Sequence, residues 1–317
     1  MATPENPLVS VSIITYQHAA FITECLEGAL AQKTDFEFEI LIGEDGSTDG
    51  TREICIEYAE RFPDKIRLFL HNPDRSHPKN DVAPWMDNWL NNLQQAKGKY
   101  IAICEGDDYW TDPDKIQKQA CFLEKNKDYS ICFHNAKILK NGSLVDNYLK
   151  NIVANTTTIL DLAKENYIYT ASCLIRNYFS DGLPEFFKHS PAGDYPLLMF
   201  TAQKGKIKYI DEIMSVYRIH EGGAWSIKST LEKLEASALV FKILMDNFDG
   251  EVKDILKDQH ITLLNKMISE YKKTEKKSLI TANGINNPYY IRENTSINVI
   301  FKALIAKIQL DILKIKK

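Results

Sequence analysis

No window of this 317-residue chain holds the roughly 18 consecutive apolar residues that a membrane-spanning helix needs. A basic excess is also missing: the formal net charge is −4, so nothing marks the chain for nucleic acid. Its six cysteines, Cys25, Cys55, Cys104, Cys121, Cys132 and Cys173, stand singly, without a C-x-x-C pair or a zinc-like His/Cys spacing. That excludes a disulfide scaffold and a zinc ribbon, and leaves reduced thiols packed in a core. There are no repeats or low-complexity tracts, so a solenoid is excluded too. The opening MATPENPLVS lacks a basic stretch followed by an apolar one, so the protein is expected in the cytoplasm.

What is present is an ordinary globular composition, 44% hydrophobic, with uneven charge. Residues 251–317 carry 13 Lys or Arg against 7 Asp or Glu, which separates the C-terminal part chemically from the rest. Along the first third, apolar β-branched runs alternate with helical spacing. LVSVSIIT, FEFEILIGED, KIRLFLH and GKYIAICEGDD read as four strands. Helices are expected between them, carrying Cys25, Leu26 and Ala29, then Ile54 and Tyr58, then Trp85 to Ala96. Such alternation predicts an α/β fold with a mostly parallel sheet flanked by helices. Beyond Asp108 it weakens. TDPDKIQKQACFLEKN reads as a helix with Asp112 at the N-cap and Pro113 at the first helical position. Asn141-Gly142 predicts a two-residue hairpin, GDYPLLMF a helix entered through Asp194, and KIKYIDEIMSVYRIH one or two extended segments. Residues from about 231 to 271, and again 297 to 317, are helical in spacing.

In open α/β sheets ligands gather outside the carboxyl ends of the strands, so the residues that end each run matter most. Thr15 and Tyr16 follow the first, Glu44 and Asp45 the second, and Glu105, Asp107 and Asp108 the fourth. A Gly turn and helix cap accounts for Asp49, Gly50 and Thr51, but not for Glu44 and Asp45. Carboxylates there could accept hydrogen bonds from a nucleobase and ribose. Capping does not explain Glu105, Asp107 and Asp108 either, because Asp112 and Pro113 already supply a helix start. Like charges so close resist burial unless a cation joins them. Mg²⁺ or Mn²⁺, with carboxylates and a substrate diphosphate as ligands, would supply it.

VSVSIITYQ, ILIGEDGSTDGT and GKYIAICEGDDYWTDP, in this order and spacing, resemble the family 2 glycosyltransferases, which have the GT-A nucleotide-diphospho-sugar fold. The resemblance is close over residues 8–125 and looser to about 225. It implies a GT-A domain over residues 1–225 and a helical extension over 226–317. It also implies inverting sugar transfer from a nucleotide-diphosphate sugar to an acceptor hydroxyl, on a saccharide or lipid-linked saccharide in bacterial surface polysaccharide or lipopolysaccharide synthesis. By the same resemblance Thr15, Tyr16, Glu44, Asp45 and Ser47 sit with the donor's base and ribose. Asp107 and Asp108 match the metal-binding D-x-D element, with Glu105 standing at its usual first Asp. Asp108, supported by Asp107, is the expected ligand. The resemblance further gives Asp194 as the base that takes the acceptor proton, where the bland reading is a helix cap. It gives Arg218 and His220, in YRIHEGGAWS, as groups at the diphosphate or metal.

Other residues keep two readings. Arg75 and Lys79 could touch phosphate or lie in a solvated loop. Trp85 and Trp89, four apart, suit a helix packing face. Tyr109 and Trp110 could shape the pocket, with core packing open for one of them. The segment 295–317 either packs its apolar face on the core or lies on an anionic membrane at the inner face, with Lys302, Lys307, Lys314, Lys316 and Lys317 toward lipid. A sugar nucleotidyltransferase shares the acids and the sheet, but its Gly-rich, basic phosphate loop is absent after the first strand, where the chain reads TYQHAAF. A non-catalytic nucleotide-sugar-binding protein is the third class, and intact acids at all three strand ends weigh against it.

Overall fold

A computed structural model describes residues 6–72, 83–146, 153–180 and 182–283, with residues 305, 306, 308–310, 312 and 315 of the last stretch. Arg75, Lys79 and the five C-terminal lysines lie outside the described residues, as do Ile300, Phe301 and Leu304. The chain divides into two compact units, Met1–Ser226 and Ile227–Lys317.

In the first unit, the apolar runs become β1 (Val9–Thr15), β2 (Phe38–Glu44), β3 (Ile66–Leu70) and β4 (Tyr100–Glu105). They pair in parallel in the order β3-β2-β1-β4. Burial on both faces explains their near-continuous apolar sequence. Val9, Val11, Ile13, Ile40, Ile42, Ala102 and Cys104 share a core with Cys25, Leu26 and Ala29 of α1 (Ile22–Leu30) and Cys55 and Tyr58 of α2 (Thr51–Arg61). Each fully buried aliphatic side chain contributes about 2 kcal/mol. The third helix, α3 (Pro84–Gln95), buries two asparagines as well as apolar residues. Asn92 Nδ2 donates to Ile13 O at 3.0 Å and Leu41 O at 3.3 Å, and Asn88 Nδ2 to Gly43 O at 2.9 Å. These amides tie the helix to the strand ends that carry the site.

Past β4 the chain turns back as β5 (Tyr109–Trp110) and enters α4 at Lys115, two residues later than the sequence predicts. The reason is local. Asp112 Oδ1 accepts the Asp114 N–H at 2.8 Å and stabilises a turn, so Asp114 becomes the N-cap of α4 (Lys115–Lys125). Trp110 is core, not pocket: its indole N–H donates to Ala171 O at 2.9 Å. The Lys115 ammonium lies 4.1 Å from that ring and donates to Gln119 at 3.0 Å, fully buried, and desolvation pushes its pKa down to about 8.

The hairpin predicted at Asn141-Gly142 joins β6 (Tyr129–Lys140) to β7 (Ser143–Asp146), with φ of 50° and 74° at the two turn residues. After β8 (Thr156–Thr157), α5 (Ile159–Lys164) and the single turn Thr170–Ser172 comes β9 (Leu174–Arg176), which runs antiparallel to both β4 and β6. Then α6 (Asp194–Ala202) leads into one long bulged strand, β10 (Lys206–Ile219), parallel to β6 and antiparallel to β5. The described residues thus build a ten-stranded mixed sheet whose longest path is β3-β2-β1-β4-β9-β6-β10-β5.

The second unit is helical. The region read as continuous breaks at Gly250, φ 63°, between α7 (Thr230–Asn247) and α8 (Gly250–Asn283). A capping box starts α7: Ser229 Oγ accepts the Glu232 N–H, and the Glu232 carboxylate accepts the Ser229 N–H. Ile305, Ile308 and Ile312 are buried with Ala238, Leu264, Met267, Ile268 and Tyr271.

Candidate active site

Two loops lock together at the ends of β1 and β2. Gln17, at a left-handed φ of 56°, donates its N–H to Ser47 Oγ at 3.0 Å and exchanges amide hydrogen bonds with Thr48, both at 3.1 Å. The His18 N–H donates to Thr51 Oγ1 at 2.8 Å and the Ala19 N–H to Asp49 Oδ2 at 3.0 Å. Asp49 also accepts from the N–H and hydroxyl of Thr51, and these hydrogen bonds hold its carboxyl below the usual range against a burial effect of opposite sign. Glu44 is wholly buried. Its Oε1 accepts the Ser47 N–H at 2.6 Å, and its Oε2 pairs with Arg52, whose guanidinium also reaches Asn72 and the His71 carbonyl. Both Glu44 oxygens thus serve the loop itself. Asp45 is buried beside it, its N–H donating to Thr15 O at 3.1 Å, while Tyr16 is 38% exposed at the rim.

The second cluster forms where β4 meets β10. Gly106 passes so close to β1 that a Cβ there would lie 2.7 Å from Thr15 Oγ1. Beyond it, the Asp107 carboxylate faces two imidazoles: Oδ2 is 3.1 Å from His220 Nε2 and 3.9 Å from His18 Nε2. One ligand atom from each of His18, Asp107 and His220 falls within 4.8 Å of the others, the one such three-residue group among the described residues. The His18 ring is oriented by a contact of its Nδ1 with Thr15 Oγ1 at 3.3 Å. Burial lowers the His18 pKa and keeps the ring neutral near pH 7, against the pull of Asp107.

Asp108, favoured as a ligand by the sequence, is 2% exposed and spends Oδ1 on the Arg218 backbone N–H at 2.8 Å. Burial, then Asp107 and Glu105, raise its carboxyl well above the ordinary range. Arg218 is a brace: its Nε donates to the Asp107 carbonyl at 2.7 Å, its guanidinium pairs with Glu24 at 2.8 Å, and it stacks over Phe21 and Tyr109. The β5–β10 pairing, Val216 opposite Tyr109, is what brings Arg218 and His220 to this turn.

Asp194 opens α6, with Gly193 as the N-cap, so it stands one residue inside the helix. Gly193 packs on the Trp89 indole, where an added Cβ would approach to 3.2 Å. Trp89 itself is buried in edge contact with Phe187, as a packing face predicts. Burial raises the Asp194 carboxyl. Glu105 is pushed up to about 8, first by burial and then by Asp107 and Asp194, while the Thr170 hydroxyl bonds to it. Five groups from β4, β10, α6 and the loop after β1 therefore share one carboxyl-end crevice: Glu105, Asp107, His18, His220 and Asp194. Sequence reasoning found four of these and missed His18, whose signal is its place three residues beyond β1.

These elements define a sheet of the GT-A type. The family model described as "Glycosyl transferase family 2" matches residues 10–181, and the chain belongs to that family. It is 34% identical over 221 residues to an uncharacterised protein of Mycobacterium tuberculosis, a stretch covering 68% of this chain and 60% of that protein. The chain therefore spans less than two thirds of that relative's length. Among solved structures, it is similar in fold to S. aureus TarS 1-349 in complex with UDP-GlcNAc, with a TM-score of 0.59 and 19% identity over 94% of this chain and 81% of that one. The mannosyltransferase PcManGT of Pyrobaculum calidifontis, in complex with GDP-Man and Mn²⁺, also gives 0.59, at 16% identity over 99% and 89% of the two chains. No helix among the described residues is long and apolar enough to cross a membrane.

Proposed function

We propose that the chain is a metal-dependent, inverting glycosyltransferase that moves a sugar from a nucleoside-diphosphate sugar to an acceptor hydroxyl. The observation that carries this is the convergence of His18, Asp107 and His220 on one point beside Glu105 and Asp194. A two-nitrogen, one-oxygen donor set with a neutral His18 fits a divalent ion, and imidazole ligands favour Mn²⁺ over Mg²⁺. The metal-bound fold neighbour supports the same reading. When bound, that ion would offset the charge of the diphosphate as it leaves. Asp108 and Arg218 hold the Asp107 turn against β10, and Glu44 with Arg52 shapes the loop carrying Ser47. Thr15, Tyr16 and Asp45 border the donor's base and ribose.

Transfer requires the acceptor O–H proton to go to the Asp194 carboxylate as the oxygen attacks the anomeric carbon. In the same step the bond from that carbon to the diphosphate oxygen breaks, the nucleoside diphosphate leaves with the bonding electron pair, and the configuration inverts. Burial raises the basicity of Asp194, which suits it to that proton. The six cysteines are free thiols, five of them buried, which suits work in the reducing cytoplasm where nucleotide sugars are made. We further place the acceptor among the saccharides or lipid-linked saccharides of surface polysaccharide synthesis. Attachment through residues 295–317 is not part of this reading, because Ile305, Ile308 and Ile312 are spent in the helical core.

The test is a panel of UDP-, GDP- and dTDP-sugars with Mn²⁺ or Mg²⁺, scored by thermal shift and by donor hydrolysis. A donor at 100 times its Kd should add about 2.7 kcal/mol. Binding without turnover would identify a nucleotide-sugar-binding protein instead, and no shift with any donor would refute both.

A further inference from the structure

The two imidazoles of the His18–Asp107–His220 group come from distant parts of the first unit, yet one benzyl ring packs against both. His18 follows β1, His220 follows β10, and the ring belongs to Phe21, the residue directly before α1. Its centroid lies 4.5 Å from that of His220, with planes inclined by 58°, and 6.4 Å from that of His18, at 59°. The imidazoles themselves are 6.2 Å apart and nearly perpendicular, at 79°. The three rings close a triangle, and the Asp107 carboxylate reaches the Nε2 atoms of both imidazoles, at 3.1 and 3.9 Å.

The backbone alone does not hold this spacing. His220 stands one residue past the last β10 pairing, Ile219 opposite Lys140, and is followed by a turn in which the Gly223 N–H donates to its carbonyl at 3.2 Å. The hydrogen bond to Asp107 fixes one nitrogen and leaves the imidazole able to swing about it. Phe21 supplies the wall on which that ring comes to rest. The wall is itself held from two sides. Its N–H donates to the His18 carbonyl at 2.8 Å, which ties it to the first imidazole. Its half-buried ring also carries the Arg218 guanidinium, 4.6 Å from the centroid, which pairs in turn with Glu24 of α1 at 2.8 Å.

We propose that Phe21 is a positioning residue, the spacer that sets the His18 and His220 imidazoles at their metal-binding separation beside Asp107. The group offers two nitrogens to one ion only while that ring is in place. This rests on the metal-dependent reading above, and the experiment separates the two. Loss of a residue that orients a metal ligand costs roughly ten- to hundredfold in affinity. Imidazole suits Mn²⁺, whereas Mg²⁺ prefers oxygen and keeps its waters. Removing the spacer should therefore weaken Mn²⁺ selectively, a pattern that general loosening of the fold would not produce.

The full-length chain is titrated with Mn²⁺ by electron paramagnetic resonance, with Mg²⁺ as competitor, and the nitrogen ligands of bound Mn²⁺ are counted from their hyperfine coupling. Wild type and Phe21→Tyr should show two imidazole nitrogens. Phe21→Leu should show one, and should bind Mn²⁺ about tenfold more weakly while holding Mg²⁺ within about twofold. Phe21→Met, unbranched and adaptable, carries the same expectation should the leucine variant not fold. Two nitrogens with unchanged Mn²⁺ affinity in either variant overturn the proposal, and so does an equal loss of both metals, which marks a role in folding alone. A second arm uses no metal: the His220 ring-proton resonance, assigned by His220→Gln, should hold a ring-current-shifted position in wild type and Phe21→Tyr and lose it in Phe21→Leu. If the wild type binds no Mn²⁺ the metal-dependent reading fails, and in this metal-free arm an unmoved His220 resonance overturns the spacer by itself.

Discussion

Gly106→Ala is a one-carbon change that strikes the site through its geometry alone. The new Cβ would lie 2.7 Å from Thr15 Oγ1, 2.8 Å from Thr15 Cβ and 3.0 Å from His18 Nδ1. Ordinary contact requires the turn to retreat by roughly 0.7 Å, since carbon and oxygen settle nearer 3.4 Å. Thr15 cannot yield instead, because its carbonyl holds the Asp45 N–H at 3.1 Å and its strand is paired on both sides. The movement therefore falls on Asp107 and Asp108, and it stretches the 3.1 Å contact to His220. Overpacking of this kind costs about 2 kcal/mol, which lowers the melting temperature by roughly 4–8 °C for a unit of this size. Sub-ångström misplacement of reacting groups should cut transfer by roughly tenfold to hundredfold. Differential scanning fluorimetry and a coupled nucleotide-release assay read the two effects. A variant with wild-type melting and turnover would refute the claim that this close approach sets the site.

Further outcomes follow from other residues. Asp194→Asn should abolish transfer while leaving donor affinity within about twofold, and a matching loss of affinity in calorimetry would reassign Asp194 to a structural role. Asp107→Asn and His18→Ala should each weaken Mn²⁺ binding at least about tenfold, a cost near 1.4 kcal/mol, and an unchanged titration would remove them from the metal centre. Lys115 has a folded pKa of about 8 against an ordinary value of 10.5, so the folded state binds fewer protons than the unfolded one between those values. Stability from this group must then rise with pH across that window, by roughly 3 kcal/mol. Lys115→Met should lose that rise in urea unfolding measured from pH 8 to 10.5, and parallel curves for the two proteins would show that Lys115 carries no such penalty.

The strand ends were legible because each motif is local: β1, β2 and β4 announce themselves by apolar runs, and the acids follow within four residues. The convergence of His18 with Asp107 and His220 was not, because it depends on β1 lying beside β4 and on β5 pairing with β10. Neither contact leaves a periodic trace. Asp112 misled for a related reason, since an Asp before Pro reads as a helix cap whether its carboxylate serves the helix or, as here, the turn before it. Asn88 and Asn92 look like breaks in an apolar helix face until the strand carbonyls they bind are in view. Glu44 shows the opposite error: the sequence marks it as important, but its burial gives it to the loop.

The contact between Asp107 and His220 spans 113 residues. A nascent chain can pair β1 to β4 as soon as they emerge, yet its acidic turn must wait for β10. At ribosomal speeds of about 5–20 residues per second, that wait lasts roughly ten seconds. During it, the Asp107 carboxylate lacks its His220 imidazole and the Asp107 carbonyl lacks its Arg218 guanidinium. The His18–Asp107–His220 group is therefore among the last features this unit can assemble during synthesis, and products ending before residue 220 cannot form it.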